Sequence, residues 1–103
     1  MDICKSDVVC SLAGRDRGQL FYVIKREKDY VLIADGRGRK IDKLKRKNPK
    51  HLRLITASDC RLKTKILNGE KFTDSEIRRS LQQIAVRENG ESENGEKGGM
   101  YFG

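Results

Sequence analysis

Nine lysines and arginines lie between positions 37 and 53, with Asp42 the one acid among them. They are Arg37, Arg39, Lys40, Lys43, Lys45, Arg46, Lys47, Lys50 and Arg53, and His51 sits inside the run. Cations at this density bind phosphate, because each neutralised phosphate releases condensed counterions. The four arginines add planar forks of donors that match phosphate oxygens. Ile41, Leu44, Leu52 and Leu54 punctuate the run, so it belongs to a folded body and not to a solvated tail. A second charged segment, Gly14-Arg15-Asp16-Arg17-Gly18, lies between two apolar stretches. Its glycines permit backbone geometry that a side chain blocks, and they let N–H groups approach a ligand. A phosphate cradle flanked by Arg15 and Arg17 and a plain hairpin loop both fit this segment.

Groups able to do covalent chemistry are few. His51 is the single histidine, and Lys47, Lys50 and Arg53 surround it with no acid or nucleophile beside it. Phosphate or base contact and a solvent-facing position both suit it better than catalysis. Cys4, Cys10 and Cys60 are odd in number and form no CxxC pair, which argues against a zinc site or a disulfide framework. They read as reduced thiols of an intracellular, cytoplasmic protein, with Cys10 an inert core residue. Asp7, Asp16, Asp29 and Asp35 fall where turns are expected, and turn-making explains each. No phosphate-loop signature occurs, and Gly36-x-Gly38 is too short for a nucleotide fingerprint. The expectation is a protein with no enzymatic activity, no metal and no cofactor.

Bulk composition agrees with a polyanionic partner. The chain has 103 residues, a net charge of +8 and a pI near 9.6. The charge is uneven: residues 1–87 carry 22 Lys and Arg against 11 acids, whereas residues 88–103 carry four glutamates against Lys97. The body is therefore more basic than the whole. No apolar run approaches the ~20 residues that span a bilayer. No basic-then-apolar leader opens the chain, so secretion is not expected.

The elements that must hold these cations read as mainly β. Residues 7–13 (DVVCSLA), 18–25 (GQLFYVIK) and 30–34 (YVLIA) are strand-prone, and residues 39–44 and 51–55 are candidate fourth and fifth strands. A charged tetrapeptide, Arg26-Glu27-Lys28-Asp29, has the length of a hairpin link, and Asp35-Gly36 ends the third strand. Pro49 prevents one continuous ladder through residues 39–55. Five short strands suggest a small closed or nearly closed barrel. The second and third strands are apolar at consecutive positions, so both faces need cover. A helix over residues 74–87 supplies it: Thr73-Asp74-Ser75-Glu76 is a capping box, and Ile77, Leu81 and Ile84 form one stripe. A shorter helix over residues 59–67 ends at Asn68-Gly69. Residues 88–103, rich in Gly and Glu, are expected to be disordered. Tyr22 or Tyr30 could stack on a base, with core or shielded outer face as the other placement.

The stretch Leu12-Ala13-Gly14-Arg15-Asp16-Arg17-Gly18-Gln19-Leu20-Phe21-Tyr22-Val23-Ile24 resembles a KOW motif, the RNA-contacting loop-and-strand unit of many ribosomal and transcription proteins. The continuation through Tyr30-Val31-Leu32-Ile33-Ala34-Asp35-Gly36, Arg39-Lys40-Ile41 and Lys47-Asn48-Pro49-Lys50-His51-Leu52 is similar to bacterial KOW-domain RNA-binding proteins. These are related to the fourteenth large-subunit ribosomal protein of archaea and eukaryotes. The likeness covers roughly residues 6–55. It implies an SH3-like small β barrel with RNA-binding loops, here over residues 1–57; the helical extension packed on the barrel over 58–87 and the disordered acidic tail over 88–103 lie outside the likeness and rest on the residue pattern alone. It implies ribosomal RNA contact by Gly14, Arg15, Arg17 and Gly18 and by the basic segment, His51 included. Tyr22 stands where valine or isoleucine is usual.

The expected function is therefore RNA binding of ribosomal-protein type, with structured RNA, ribosomal RNA or the ribosome as partner, no membrane, and the chain acting as a monomer. The rival is a protein-interaction module that docks through the Ile77, Leu81 and Ile84 face or through Met100-Tyr101-Phe102.

Overall fold

The computed structural model describes residues 3–55 and 60–89. Five strands, β1 (Val8–Ser11), β2 (Leu20–Arg26), β3 (Val31–Ala34), β4 (Lys45–Lys47) and β5 (Leu52–Ile55), precede two helices, α1 (Cys60–Asn68) and α2 (Asp74–Asn89). All ladders are antiparallel, in the order β4-β3-β2-β1-β5. β1 to β4 form a meander, and β5 returns to the free side of β1. Among the described residues no ladder joins β4 to β5, so the hydrogen bonding defines a five-stranded sheet and not a closed barrel.

The consecutive apolar residues divide between two cores. Val9, Phe21, Val23, Val31 and Ile33 cluster with Ile3 and Leu52. Their sequence neighbours Val8, Cys10, Tyr22 and Ala34 cluster instead with Ile55, with Leu62 and Ile66 of α1, and with Ile77, Leu81 and Ile84 of α2. The period-2 alternation of a strand sends neighbours to opposite faces, so both faces are apolar only because both are covered. Each buried side chain of the α2 stripe contributes about 1.5–3 kcal/mol, and this packing rather than intrinsic propensity holds the helix. An irregularity between Val23 and Lys25 inserts Ile24 into β2 as an extra residue.

The N-terminus of α2 and the C-terminus of α1 are capped. Thr73 Oγ1 accepts the Glu76 N–H at 3.1 Å, and Glu76 Oε1 accepts the Thr73 N–H at 3.0 Å, so the capping box is formed. Glu76 also takes a 2.7 Å bond from Lys65 Nζ of α1. The Lys65 bond and the Thr73 N–H hold its carboxyl below the usual range. α1 stops at Gly69, whose φ of +72° continues into a bond from the Glu70 N–H to the Lys65 carbonyl.

Two strands differ from expectation. The fourth was expected over residues 39–44, but Ile41–Lys43 is a 3-10 turn and β4 begins at Lys45. The Ile41 N–H is taken by Asp74 Oδ1 at 2.8 Å and the Lys43 N–H by the Lys40 carbonyl, so neither donor is free to join a ladder. β4 itself is Lys-Arg-Lys, a charged strand held by its pairing with β3 and invisible to an apolar pattern. His51 belongs to the 3-10 turn Pro49–His51 and not to the fifth strand, which begins at Leu52. Asn48 caps that turn by accepting the Lys50 N–H.

Ser6 is a point of local strain. It is buried, adopts φ +77°, and its Oγ has no hydrogen-bond partner among the described residues. Both features are unfavourable, the first for any side chain and the second for a hydroxyl. Ser6→Gly removes both and is expected to stabilise the fold by about 1 kcal/mol, after the larger chain entropy of glycine is set against the gain. Thermal melting checks this, and a lower Tm in the variant refutes it.

Candidate nucleic-acid interface

The β1–β2 loop closes tightly. Gly14 and Gly18 take φ values of +86° and +89°. The Arg17 N–H bonds the Gly14 carbonyl, the Gln19 N–H bonds the Asp16 carbonyl, and Ser11 pairs with Gly18 and Gln19 across the base. This geometry turns Asp16 inward, where only 7% of its surface is exposed. Its carboxylate accepts bonds from Ser11 Oγ at 2.7 Å, Lys45 Nζ at 2.6 Å and Lys47 Nζ at 3.1 Å. Lys47 Nζ also reaches the Ala13 carbonyl at 3.1 Å. Burial opposes charge on Asp16, but the Lys45, Ser11 and Lys47 bonds and the Lys47 charge outweigh it, and the carboxyl is held far below the usual range.

Asp16 is thus more than a turn residue. It is an internal counter-ion for the basic segment, which in sequence looks almost unopposed. Lys45 and Lys47 spend part of their charge on it and are mostly withdrawn from solvent. Arg15 and Arg17, on either side of Asp16, are exposed and make no ion pair among the described residues.

The β3–β4 loop is braced from within. Asp35 Oδ1 accepts the N–H groups of Arg37 and Arg39, both at 2.9 Å, and the Arg39 carbonyl accepts from Asp35 and Gly36. Arg78 of α2 donates to the Gly36 carbonyl at 2.7 Å. Arg37 and Arg39 therefore project from a fixed backbone with exposed side chains. Little backbone entropy remains to be lost when such groups bind a phosphate, and the remaining ordering cost is that of the side chains alone.

The two loops face each other across a cleft of about 400 Å³, lined by Arg15, Asp16, Gln19, Arg37, Arg39 and Lys45 among others. A second cleft of about 300 Å³ adjoins it, sharing Gln19, Asp35 and Arg37 and continuing to Arg78, Leu81 and Gln82 of α2. Thus Arg15, Arg37, Arg39 and Lys45 come together from segments distant in sequence. Lys40 and Lys43 are exposed at the 3-10 turn, and Lys50 and Arg53 are exposed at the approach to β5 and within it. His51 is exposed, and its carbonyl accepts the Leu12 N–H at the base of the β1–β2 loop. Arg46 lies 4.0 Å from the ring centre of Tyr30, a cation–π contact.

Tyr22 is not placed to stack on a base. It is fully buried, and its hydroxyl lies 2.6 Å from Ser80 Oγ of α2. A phenol at a position packed against a helix requires a polar partner there, and Ser80 provides it. Sequence reasoning also passed over Asp35, Gln19, Arg78 and Gln82 as lining residues. The one signal for them was that Arg78 and Gln82 lie off the apolar stripe of α2.

Among the described residues no group of three His, Cys, Asp or Glu is placed to hold a metal ion. No described helix is long and apolar enough to cross a membrane. Cys4 is exposed and Cys10 buried, both as free thiols. The C-terminal expectations for residues 90–103, Met100-Tyr101-Phe102 included, lie outside the described residues. No family model and no curated protein matches the chain.

Proposed function

We propose that this chain is an SH3-like KOW-type barrel that binds structured RNA, ribosomal RNA foremost, and acts in translation or at the ribosome. The observation that carries this reading is the meeting of two arginine-bearing loops around one cleft, each loop braced by its own buried acid. Asp16 and Asp35 satisfy the loop interiors, and Arg15, Arg17, Arg37 and Arg39 are left exposed without ion pairs among the described residues. The strand order also favours a barrel, because a meander with its last strand returned beside the first brings β4 and β5 next to each other when the sheet curls. The face formed by Ile77, Leu81 and Ile84 is buried against the sheet, which disfavours docking of a partner through that face.

The test is Arg15, Arg17, Arg37 and Arg39 changed together to glutamine, with Lys45 and Lys47 left in place because they hold Asp16. Binding to a ribosomal RNA hairpin is expected to fall at least 100-fold at low salt. The dependence of log affinity on log salt should flatten by about 0.7–0.9 for each phosphate that the variant no longer neutralises. The melting curve should change little. Undiminished binding by the folded variant overturns the proposal, and capture of protein partners that survive nuclease favours the interaction module.

A further inference from the structure

We infer that the paired clefts form a pocket for one unpaired guanine, an assignment that rests on the RNA-binding reading above. Asp35 is the reason. A carboxylate on a surface that binds a polyanion repels phosphate, yet Asp35 lines both clefts. Its Oδ1 is occupied by the Arg37 and Arg39 N–H groups. Its Oδ2 accepts nothing from the described residues, and it keeps some access to solvent, since among the described residues only Ser6 Oγ is a fully buried side-chain polar atom without a partner. A free acceptor on a residue that lines both clefts calls for a ligand that brings donors without negative charge.

A nucleobase meets that requirement, and guanine meets it best. Its Watson–Crick edge presents two adjacent donors, N1–H and N2–H, beside the acceptor O6. Asp35 Oδ2 accepts from the donor pair, and the exposed Gln19 amide, which lines the same two clefts, supplies the complementary donor to O6. Leu20, Leu81 and Ala85 give one cleft an apolar wall for the face of the base, and Arg37 offers a planar cation beside it. The flanking phosphates remain outside on Arg15 and Arg39. The clefts, at about 300 and 400 Å³, are large enough for a nucleoside.

The experiment uses the full chain and a set of RNA hairpins identical except for one bulged nucleotide, which is guanosine, inosine, adenosine or uridine. Fluorescence anisotropy at one fixed salt concentration reads the affinities. The guanosine bulge is expected to bind about tenfold more tightly than the other three, inosine being the critical comparison because it lacks only the N2 amine. Asp35→Asn retains an oxygen for the Arg37 and Arg39 N–H groups and replaces the free acceptor with a donor. It is expected to abolish the guanosine preference, read as the ratio of guanosine to adenosine affinity within the variant, because the loss of its negative charge acts on all four hairpins alike. Gln19→Ala, at an exposed position, should reduce the same preference and guards against failure of the Asp35 variant to fold. Equal, salt-sensitive binding of all four hairpins overturns the guanine pocket and leaves the basic interface standing. Preference retained by both folded variants also overturns the pocket, and binding of no hairpin overturns both readings.

Discussion

Gly36→Ala is expected to cost about 4 kcal/mol, a large share of the stability of a small domain. Two costs add at this position. Gly36 takes φ +78°, a region in which a Cβ costs about 1–2 kcal/mol. The added Cβ would also collide with the Asp74 carbonyl oxygen and stand 3.1 Å from the Arg78 nitrogen. Both are backbone atoms at the start of α2, so no side chain can swing away. Either the β3–β4 loop or the helix must shift. A shift breaks the Arg78 bond to the Gly36 carbonyl and the Ile41 bond to Asp74. Gly18→Ala is the internal control: its φ is +89°, but nothing lies within 4 Å of the added atom. It should lose only the conformational share, about 1 kcal/mol. Chemical denaturation of both variants separates strain from collision, and equal losses refute the close packing of the loop on α2.

The same loop shows where sequence reading stops. Asp35-Gly36 reads as a turn, and it is one, but only space reveals that α2 packs against it. The two apolar faces of β2 and β3 are legible because alternation is a local property, and consecutive Phe21, Tyr22, Val23 and Ile24 violate the one-sided pattern. The capping box at Thr73 and the stripe of Ile77, Leu81 and Ile84 are legible for the same reason. β4 is not, because Lys45, Arg46 and Lys47 carry no apolar signal and become a strand through Val31, Leu32 and Ile33 opposite. The partnership of Tyr22 with Ser80 spans 58 positions and leaves no local trace. At the site, the identity of the cationic segments is visible in the residue types. Which cations are free is not, because that depends on Asp16, 29 and 31 positions away from the lysines it holds.

Asp16→Asn tests that division of labour. Removing one partner of a mostly buried ion cluster leaves its opposite charges uncompensated, a loss of about 3 kcal/mol. Lys45 and Lys47 keep some access to water, so the loss should not reach the upper end of such effects. The pH dependence carries a definite sign. The folded carboxyl titrates well below an unfolded aspartate, whose pKa is about 3.9, so its contribution is complete above that value and is lost as pH falls toward the folded value. The stability gap between parent and variant should therefore be constant near neutrality and narrow only below about pH 4. Glu76 also titrates low, but it is present in both proteins and cancels from the difference. Binding supplies an independent readout. With the carboxylate gone, two ammonium groups lose their counter-ion, one of them, Lys45, on the cleft wall, and the salt dependence of RNA binding by the folded variant should steepen. A gap that widens on acidification refutes the ionised role of Asp16. An unchanged salt dependence shows instead that Lys45 and Lys47 remain turned into the loop, and that the arginines alone face the nucleic acid.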